Sequence, residues 1–214
     1  LQGRDMSDAP IDRQTVFSGT KDVPEALAFD EDRLSTWLEK ALPEFKGPLK
    51  ARQFKGGQSN PTYMIEAASG RYVLRRKPPG KLLPSAHAVD REFKVLSALH
   101  GAGFPVARPL ILCDDDAVVG TMFYLMAFIE GRVYWVPELP DCDLQERSAI
   151  YDAMNATIAQ LHTIDYEAVG LGDFGKPAGY MTRQIKRWSQ QYRASETKEI
   201  AEMERMIEWL PGAT

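Results

Sequence analysis

Hydrophobic residues recur along this chain with two periods, and the change from one to the other divides it. Residues 1–29 are polar without a sustained period and read as a flexible N-terminal arm. From Asp30, "DEDRLSTWLEKAL" spaces Leu34, Trp37, Leu38 and Ala41 at helical intervals behind an Asp cap, and Pro43 and Gly47 end the pattern. Short apolar or alternating runs follow at Leu49 to Lys55, Pro61 to Ala67, Tyr72 to Arg76, Pro109 to Cys113 and Thr121 to Phe128. The turn signals "GGQSNP", "ASGR" and "DDDAVVG" separate them, and short connections predict antiparallel neighbours. One helix interrupts the strands at Ala88 to His100, between "KPPGKLLPS" and "GAGFP".

After Gly131 the period becomes helical. Leu144, Tyr151, Met154, Ile158 and Leu161 mark a long amphipathic helix, and two more helical stretches lie near Tyr180 to Tyr192 and Thr197 to Leu210. No internal repeat or low-complexity segment appears. Strands first and helices afterwards predict an α+β plan, an antiparallel meander sheet with one embedded helix followed by a helical part, and exclude an alternating βαβ one.

Composition narrows the class. With 214 residues, 44% hydrophobic and 26% charged, the chain is long enough for one large domain or two small lobes without staples. A net charge of -4 argues against nucleic acid as the main partner. Cys113 and Cys142 are the only cysteines, with no C-x-x-C, so neither a disulfide framework nor a zinc site is expected. A reduced, cytoplasmic setting is the default. No run of 18 apolar residues and no apolar stretch within "LQGRDMSDAP" suggests a membrane span or a secretory signal.

Three constellations could carry chemistry. In "FKGGQSNPTYMI", residues 54–65, a glycine pair and a small polar tip join two strands. The backbone amides of Gly57, Gln58, Ser59 and Asn60 could line a concavity for phosphate oxygens, although a plain hairpin turn accounts for the same residues. In "YVLRR", alternation puts Val73 and Arg75 on one face and Tyr72, Leu74 and Arg76 on the other. On the following helix Glu92 falls inside the apolar arc of Val89, Phe93, Val95, Leu96 and Leu99. A carboxylate so directed needs a cation, because an unpaired buried charge costs several kcal/mol. Arg75 is the expected partner and Arg76 and Lys77 the fallbacks; a solvated surface pair is the alternative. The third stretch, "FYLMAFIEGR", residues 123–132, runs from a buried strand into Glu130 and Gly131 at the junction of the two halves, where ligand sites are favoured.

Together with "YVLRRKPPG", "AVDREFKVLSAL", "FPVARPL" and "YMTRQIKRW", these stretches resemble the aminoglycoside phosphotransferase family and its kinase-like relatives, including the kinase-like domains attached to acyl-CoA dehydrogenases. The resemblance runs from about Phe29 to the end of the chain. It implies a protein-kinase-like two-lobe fold, with residues 30–128 as a nucleotide-binding N-lobe and 129–214 as connector and incomplete helical C-lobe. Gly57, Ser59 and Asn60 would form the loop over the ATP phosphates, and Arg75 would stand where the family has a phosphate-gripping lysine, oriented by Glu92. Val73 and Met126 would line the adenine slot, with the Ala127 carbonyl and the Ile129 amide on the adenine edge. Arginine at 75 departs from the general kinase pattern, but a guanidinium binds phosphate bidentately.

"GLGDFG", residues 170–175, fits both a dinucleotide fingerprint and a kinase D-F-G. The first requires a βαβ unit, and the stretch follows a long helix instead. The second requires a catalytic loop before it, and no histidine in "AHAV", "LHGAG" or "LHTID" begins a His-Gly-Asp. His162 with Asp165 is the nearest imitation and is better read as a helix end. The stretch is therefore expected to link two helices, with Asp173 a turn or cap residue.

The resemblance places the catalytic loop and the metal aspartate beyond residue 214, so it assigns no catalytic and no metal-binding residue within the chain. It implies ATP and Mg2+, with the metal ligands outside these residues, and an unidentified small-molecule hydroxyl acceptor. A non-catalytic, pseudokinase-like nucleotide module is the rival reading, and a protein kinase is a further one. The acidic "PELPDCDLQE", residues 137–146, could attract a cationic acceptor, but a solvated loop and helix start explain it.

Overall fold

The computed structural model describes residues 13–56, 59–80, 87–176 and 178–213, in two compact units, Leu1–Val169 and Gly170–Thr214. In the first unit the elements are α1 (Arg13–Phe17), β1 (Thr20–Lys21), a 3-10 turn (Glu25–Leu27), α2 (Glu31–Ala41), β2 (Leu49–Phe54), β3 (Thr62–Ala67) and β4 (Gly70–Arg76). They continue with α3 (Val89–Gly101), β5 (Pro109–Cys113), α4 (Asp116–Val119), β6 (Phe123–Ala127) and α5 (Leu144–Thr163). The second unit holds α6 (Tyr180–Ser195) and α7 (Ala201–Trp209), joined by an Arg193–Glu204 ion pair at 2.7 Å.

The six strands form one antiparallel sheet in the order β1-β2-β3-β4-β6-β5. The meander holds through β4. There β6 inserts between β4 and β5, so the segment carrying α3 leads to an edge strand. Pro109, which has no amide hydrogen to give a ladder, opens that strand, and the register slips between Pro109 and Ile111.

Alternation sorts the side chains of the central strands onto two faces. Tyr63, Ile65, Tyr72, Leu74, Phe123 and Leu125 are buried in one core with Leu34 and Leu38 of α2, and the Trp37 ring meets Phe123 edge-on at 5.5 Å. Asp30 starts α2 by accepting a hydrogen bond from the Arg33 amide at 2.9 Å. The opposite face carries Thr62 and Met64 of β3, Val73 and Arg75 of β4, and Tyr124 and Met126 of β6, as cross-strand partners. α3 packs on this second face, with the Phe93 and Tyr124 rings 5.9 Å apart.

Residues 13–29 contribute elements that a polar, aperiodic stretch does not announce. A two-residue strand is too short to show a period, and its order comes from elsewhere: Arg52 donates to Thr20 Oγ1 and to Asp22 Oδ1, each at 3.0 Å. "DDDAVVG" is a turn of helix and not a bare turn. Asp115 caps it through the Ala117 amide, Gly120 ends it at φ +87°, and Val118 and Val119 are buried. On α5, by contrast, Tyr151, Met154, Ile158 and Leu161 are exposed. No helix among the described residues is long and apolar enough to cross a membrane.

Candidate functional site

The second face of the sheet gathers a polar cluster around one carboxylate. Glu92 lies in the first turn of α3, behind the buried Val89, and its side chain reaches across to β4. Arg75 Nε donates to Glu92 Oε2 at 2.6 Å and Arg75 Nη2 to Oε1 at 3.4 Å. Asn60 Nδ2 donates to Oε1 at 2.8 Å, and the Tyr124 hydroxyl to Oε2 at 3.1 Å. Four donors thus converge on a carboxylate that only accepts. The Arg75 and Glu92 side chains are 28% and 34% exposed, so one edge of the pair faces solvent.

Arg75 is held on its other side as well. Its Nη1 donates to Thr62 Oγ1 at 3.0 Å, and Thr62 Oγ1 donates in turn to the Asn60 carbonyl at 3.0 Å. Asn60, Glu92, Arg75 and Thr62 therefore close a ring of hydrogen bonds, entered from outside by His87, whose Nδ1 is 2.7 Å from Asn60 Oδ1. Burial pushes the Tyr124 hydroxyl pKa well above its usual range; the Glu92 charge adds to the rise and the Arg75 charge opposes it. The phenol keeps its proton and remains a donor.

The structure brings Val73, Arg75, Glu92 and Met126 to one face. Val73 is the cross-strand partner of Met126, and Arg75 that of Tyr124, so the two pairs lie two residues apart along the same strands. Ala127 closes β6 opposite Tyr72, its amide donating to the Arg108 carbonyl at 2.8 Å, and Ile129 follows at 64% exposure. Ser59 is exposed. Asn60 is 4% exposed and spends its side chain on Glu92 and His87, so its backbone amide is the group left for a loop role. Gly57 lies outside the described residues. On the loop's other flank, a Cβ at Gly56 would stand 2.8 Å from Cζ2 of Trp135.

Three members of the cluster, Thr62, Tyr124 and His87, were not singled out by sequence reasoning. Thr62 and Tyr124 are the cross-strand neighbours of Arg75, a signal usable only once the strand partners are known. Arg76, the fallback partner for Glu92, points to the other face and is buried at 2% exposure. "GLGDFG" forms turns between α5 and α6, and Asp165 accepts from the amides of Glu167 and Ala168 at the end of α5, as a cap does.

The sequence model of the phosphotransferase enzyme family matches residues 50–213. The chain belongs to that family. The polar cluster, strands β3 to β6 and the helices after them fall within the match, while β1 lies before it. Mouse acyl-CoA dehydrogenase family member 10 is 46% identical over 193 residues, which are 90% of this chain and 18% of the relative. Chicken acyl-CoA dehydrogenase family member 11 is 43% identical over 199 residues, 91% of this chain and 26% of the relative. A crystal structure of a Ralstonia eutropha protein provisionally named an aminoglycoside phosphotransferase superposes with a TM-score of 0.72 at 46% identity, covering 86% of this chain and 54% of that one. The phosphotransferase fold is thus kinase-like, and the chain spans about a fifth to a quarter of the curated relatives' length.

Proposed function

We propose that residues 30–128 bind ATP on the Arg75 face of the sheet, as the nucleotide-binding part of an ATP-dependent phosphotransferase that moves the γ-phosphate to a hydroxyl of a small molecule. The state of the Arg75 guanidinium carries this reading. Glu92 and Thr62 take three of its five N–H donors and fix its plane. One donor on each Nη atom has no partner among the described residues. A guanidinium held rigid with donors to spare suits two phosphate oxygens at once.

The neighbouring positions fit the rest of a nucleotide. Val73 and Met126 offer apolar walls for an adenine about 7 Å along the strands from Arg75, a span that a ribose bridges. The Ala127 carbonyl and the Ile129 amide are its edge partners, and the backbone amides of Gly57, Ser59 and Asn60 cover the phosphates. Bound ATP supplies the phosphoryl group; this chain's residues bind and orient it, which is most of what phosphoryl transfer asks of a protein. Mg2+ is expected with the nucleotide, but among the described residues no three His, Cys, Asp or Glu side chains gather to hold it. The chain's part is read as nucleotide binding, with residues 129–214 as connector and partial helical C-lobe. The same reading takes the setting to be cytoplasmic, with neither nucleic acid nor membrane as partner.

A non-catalytic nucleotide-binding module is the second reading, and a His-Gly-Asp loop in the full reading frame is what tells the two apart. Arg75→Ala tests the shared claim: ATP affinity falls about 10- to 100-fold, as loss of a charged hydrogen-bonding group requires. An unchanged affinity overturns the phosphate site. Phosphoryl transfer by the intact protein to a panel of amino sugars and hydroxylated acyl-CoA thioesters, compounds suggested by the relatives' names, separates enzyme from module.

A further inference from the structure

We propose that His87 is a positioning residue of this site, held with its proton on Nδ1, which orients Asn60 and through it the Glu92–Arg75 pair; the inference rests on the phosphate-site reading above.

The direction of the Asn60 amide decides the protonation. Its two ends cannot be told apart by shape, but their partners differ in kind. One end lies 2.8 Å from Glu92 Oε1, which can only accept, so that end is Nδ2. The other end is then Oδ1, an acceptor, 2.7 Å from His87 Nδ1. His87 Nδ1 must supply the proton. In a neutral imidazole this leaves Nε2 bare.

The backbone agrees that His87 is held for a purpose. It sits two residues before α3 at φ +58°, a left-handed conformation that few non-glycine residues adopt, His and Asn being more tolerant of it than most. That conformation accompanies a ring that meets Asn60 two residues before β3. Without the ring, Asn60 Oδ1 loses its donor, and the side chain is held only at its other end, by Nδ2 on Glu92 Oε1. The ring of hydrogen bonds through Glu92, Arg75 and Thr62 then loosens at Asn60, and the Glu92 carboxylate is held less firmly against the guanidinium whose plane it fixes.

Two measurements on the 214-residue chain test this. Nitrogen-15 NMR of the neutral imidazole is expected to show His87 with protonated Nδ1 and unprotonated Nε2; the reverse tautomer overturns the geometry whatever the nucleotide does. Calorimetric titration with Mg-ATP and with adenosine then compares His87→Gly, His87→Asn, Arg75→Ala and the His87→Gly/Arg75→Ala pair. Glycine accepts the left-handed backbone, so this variant removes the ring without straining the fold. It is expected to weaken ATP about five- to tenfold while leaving adenosine unchanged, and to add nothing in the Arg75→Ala background. Asparagine, whose Nδ2 occupies the place of the ring Nδ1 and which also tolerates the left-handed region, restores ATP affinity. His87→Gly binding ATP like wild type, or losing ATP and adenosine equally, overturns the positioning role. Arg75→Ala binding ATP like wild type overturns the phosphate site itself, and the NMR result still stands or falls separately.

Discussion

Arg75 and Arg76 stand next to each other in β4 and serve opposite faces of the sheet. Arg75 meets Glu92 on the half-open face; Arg76 is buried, and its three donating nitrogens go to the Tyr63 hydroxyl at 3.1 Å, the Val119 carbonyl at 2.7 Å and the Leu27 carbonyl at 2.8 Å. Its guanidinium also lies over the Phe29 and Tyr63 rings. Arg76 joins the strand to α4 and to the 3-10 turn near the N-terminus, where no side-chain period would have placed a tie.

The two arginines are therefore separable. Arg76→Met takes the donor from the buried Val119 carbonyl and one bond each from the Leu27 carbonyl and the Tyr63 hydroxyl, which still bond each other at 3.0 Å, and should cost about 2 kcal/mol of stability in urea denaturation while ATP affinity stays near wild type. Arg75→Met should show the opposite balance, with a loss of about 1 kcal/mol and a large fall in ATP affinity. Equal effects of the two substitutions on stability would remove the distinction between a structural and a binding arginine.

Much of this arrangement was legible in the sequence. The bounds of β2 to β6, α2 and α3 follow from period and punctuation within about two residues, because each buries one stripe against one neighbour. The meeting of Arg75 and Glu92 follows from strand alternation and the helical arc. The insertion of β6 between β4 and β5 did not, since strand order depends on which long-range pairing wins after the α3 crossover. Asn60 reads as a loop donor until the structure shows its side chain turned inward. His87 carries no local signal, being a lone histidine before a helix whose partner is distant by 27 positions.

Glu92→Gln keeps the shape and reverses half of the chemistry. Four donors point at this carboxylate, so an amide nitrogen in place of one oxygen must face at least one of them. The substitution should cost about 1–3 kcal/mol in chemical denaturation and weaken ATP binding together with it. Loss of neither would mean that the cluster is ornamental to both folding and binding.

Tyr124 gives the cluster an alkaline limit. Its pKa is raised in the folded chain by burial and by Glu92, so its contribution is complete below the unfolded value of about 10 and is lost as pH climbs above it, because only the unfolded chain then gives up the proton readily. Burial likewise raises the Tyr63 hydroxyl, against the lowering effect of Arg76. Stability measured from pH 9 to 11 should fall, and Tyr124→Phe should flatten that fall while costing about 1 kcal/mol at neutral pH. A Tyr124→Phe curve parallel to wild type would contradict the assignment.

Gly56 leaves room for Trp135, whose ring also lies 5.3 Å from that of Phe17 in α1. Gln14 fastens the same segment by donating to the Val133 carbonyl at 2.8 Å and accepting from the Trp135 amide at 3.3 Å. Gly56→Ala should displace the indole, shift tryptophan emission to the red and cost about 1–2 kcal/mol. Trp135→Leu should relieve the clash in the double variant. A Gly56→Ala protein with unchanged emission and stability would show that the turn and the indole do not press on each other.

The most direct measurement is a crystal structure of the chain grown with ATP. Phosphate oxygens should lie within about 2.7–3.2 Å of the Arg75 Nη atoms, with the adenine over Val73 and Met126 and the Glu92 pairing intact. A nucleotide bound on any other surface, with the Arg75 Nη atoms left in solvent, would contradict the account.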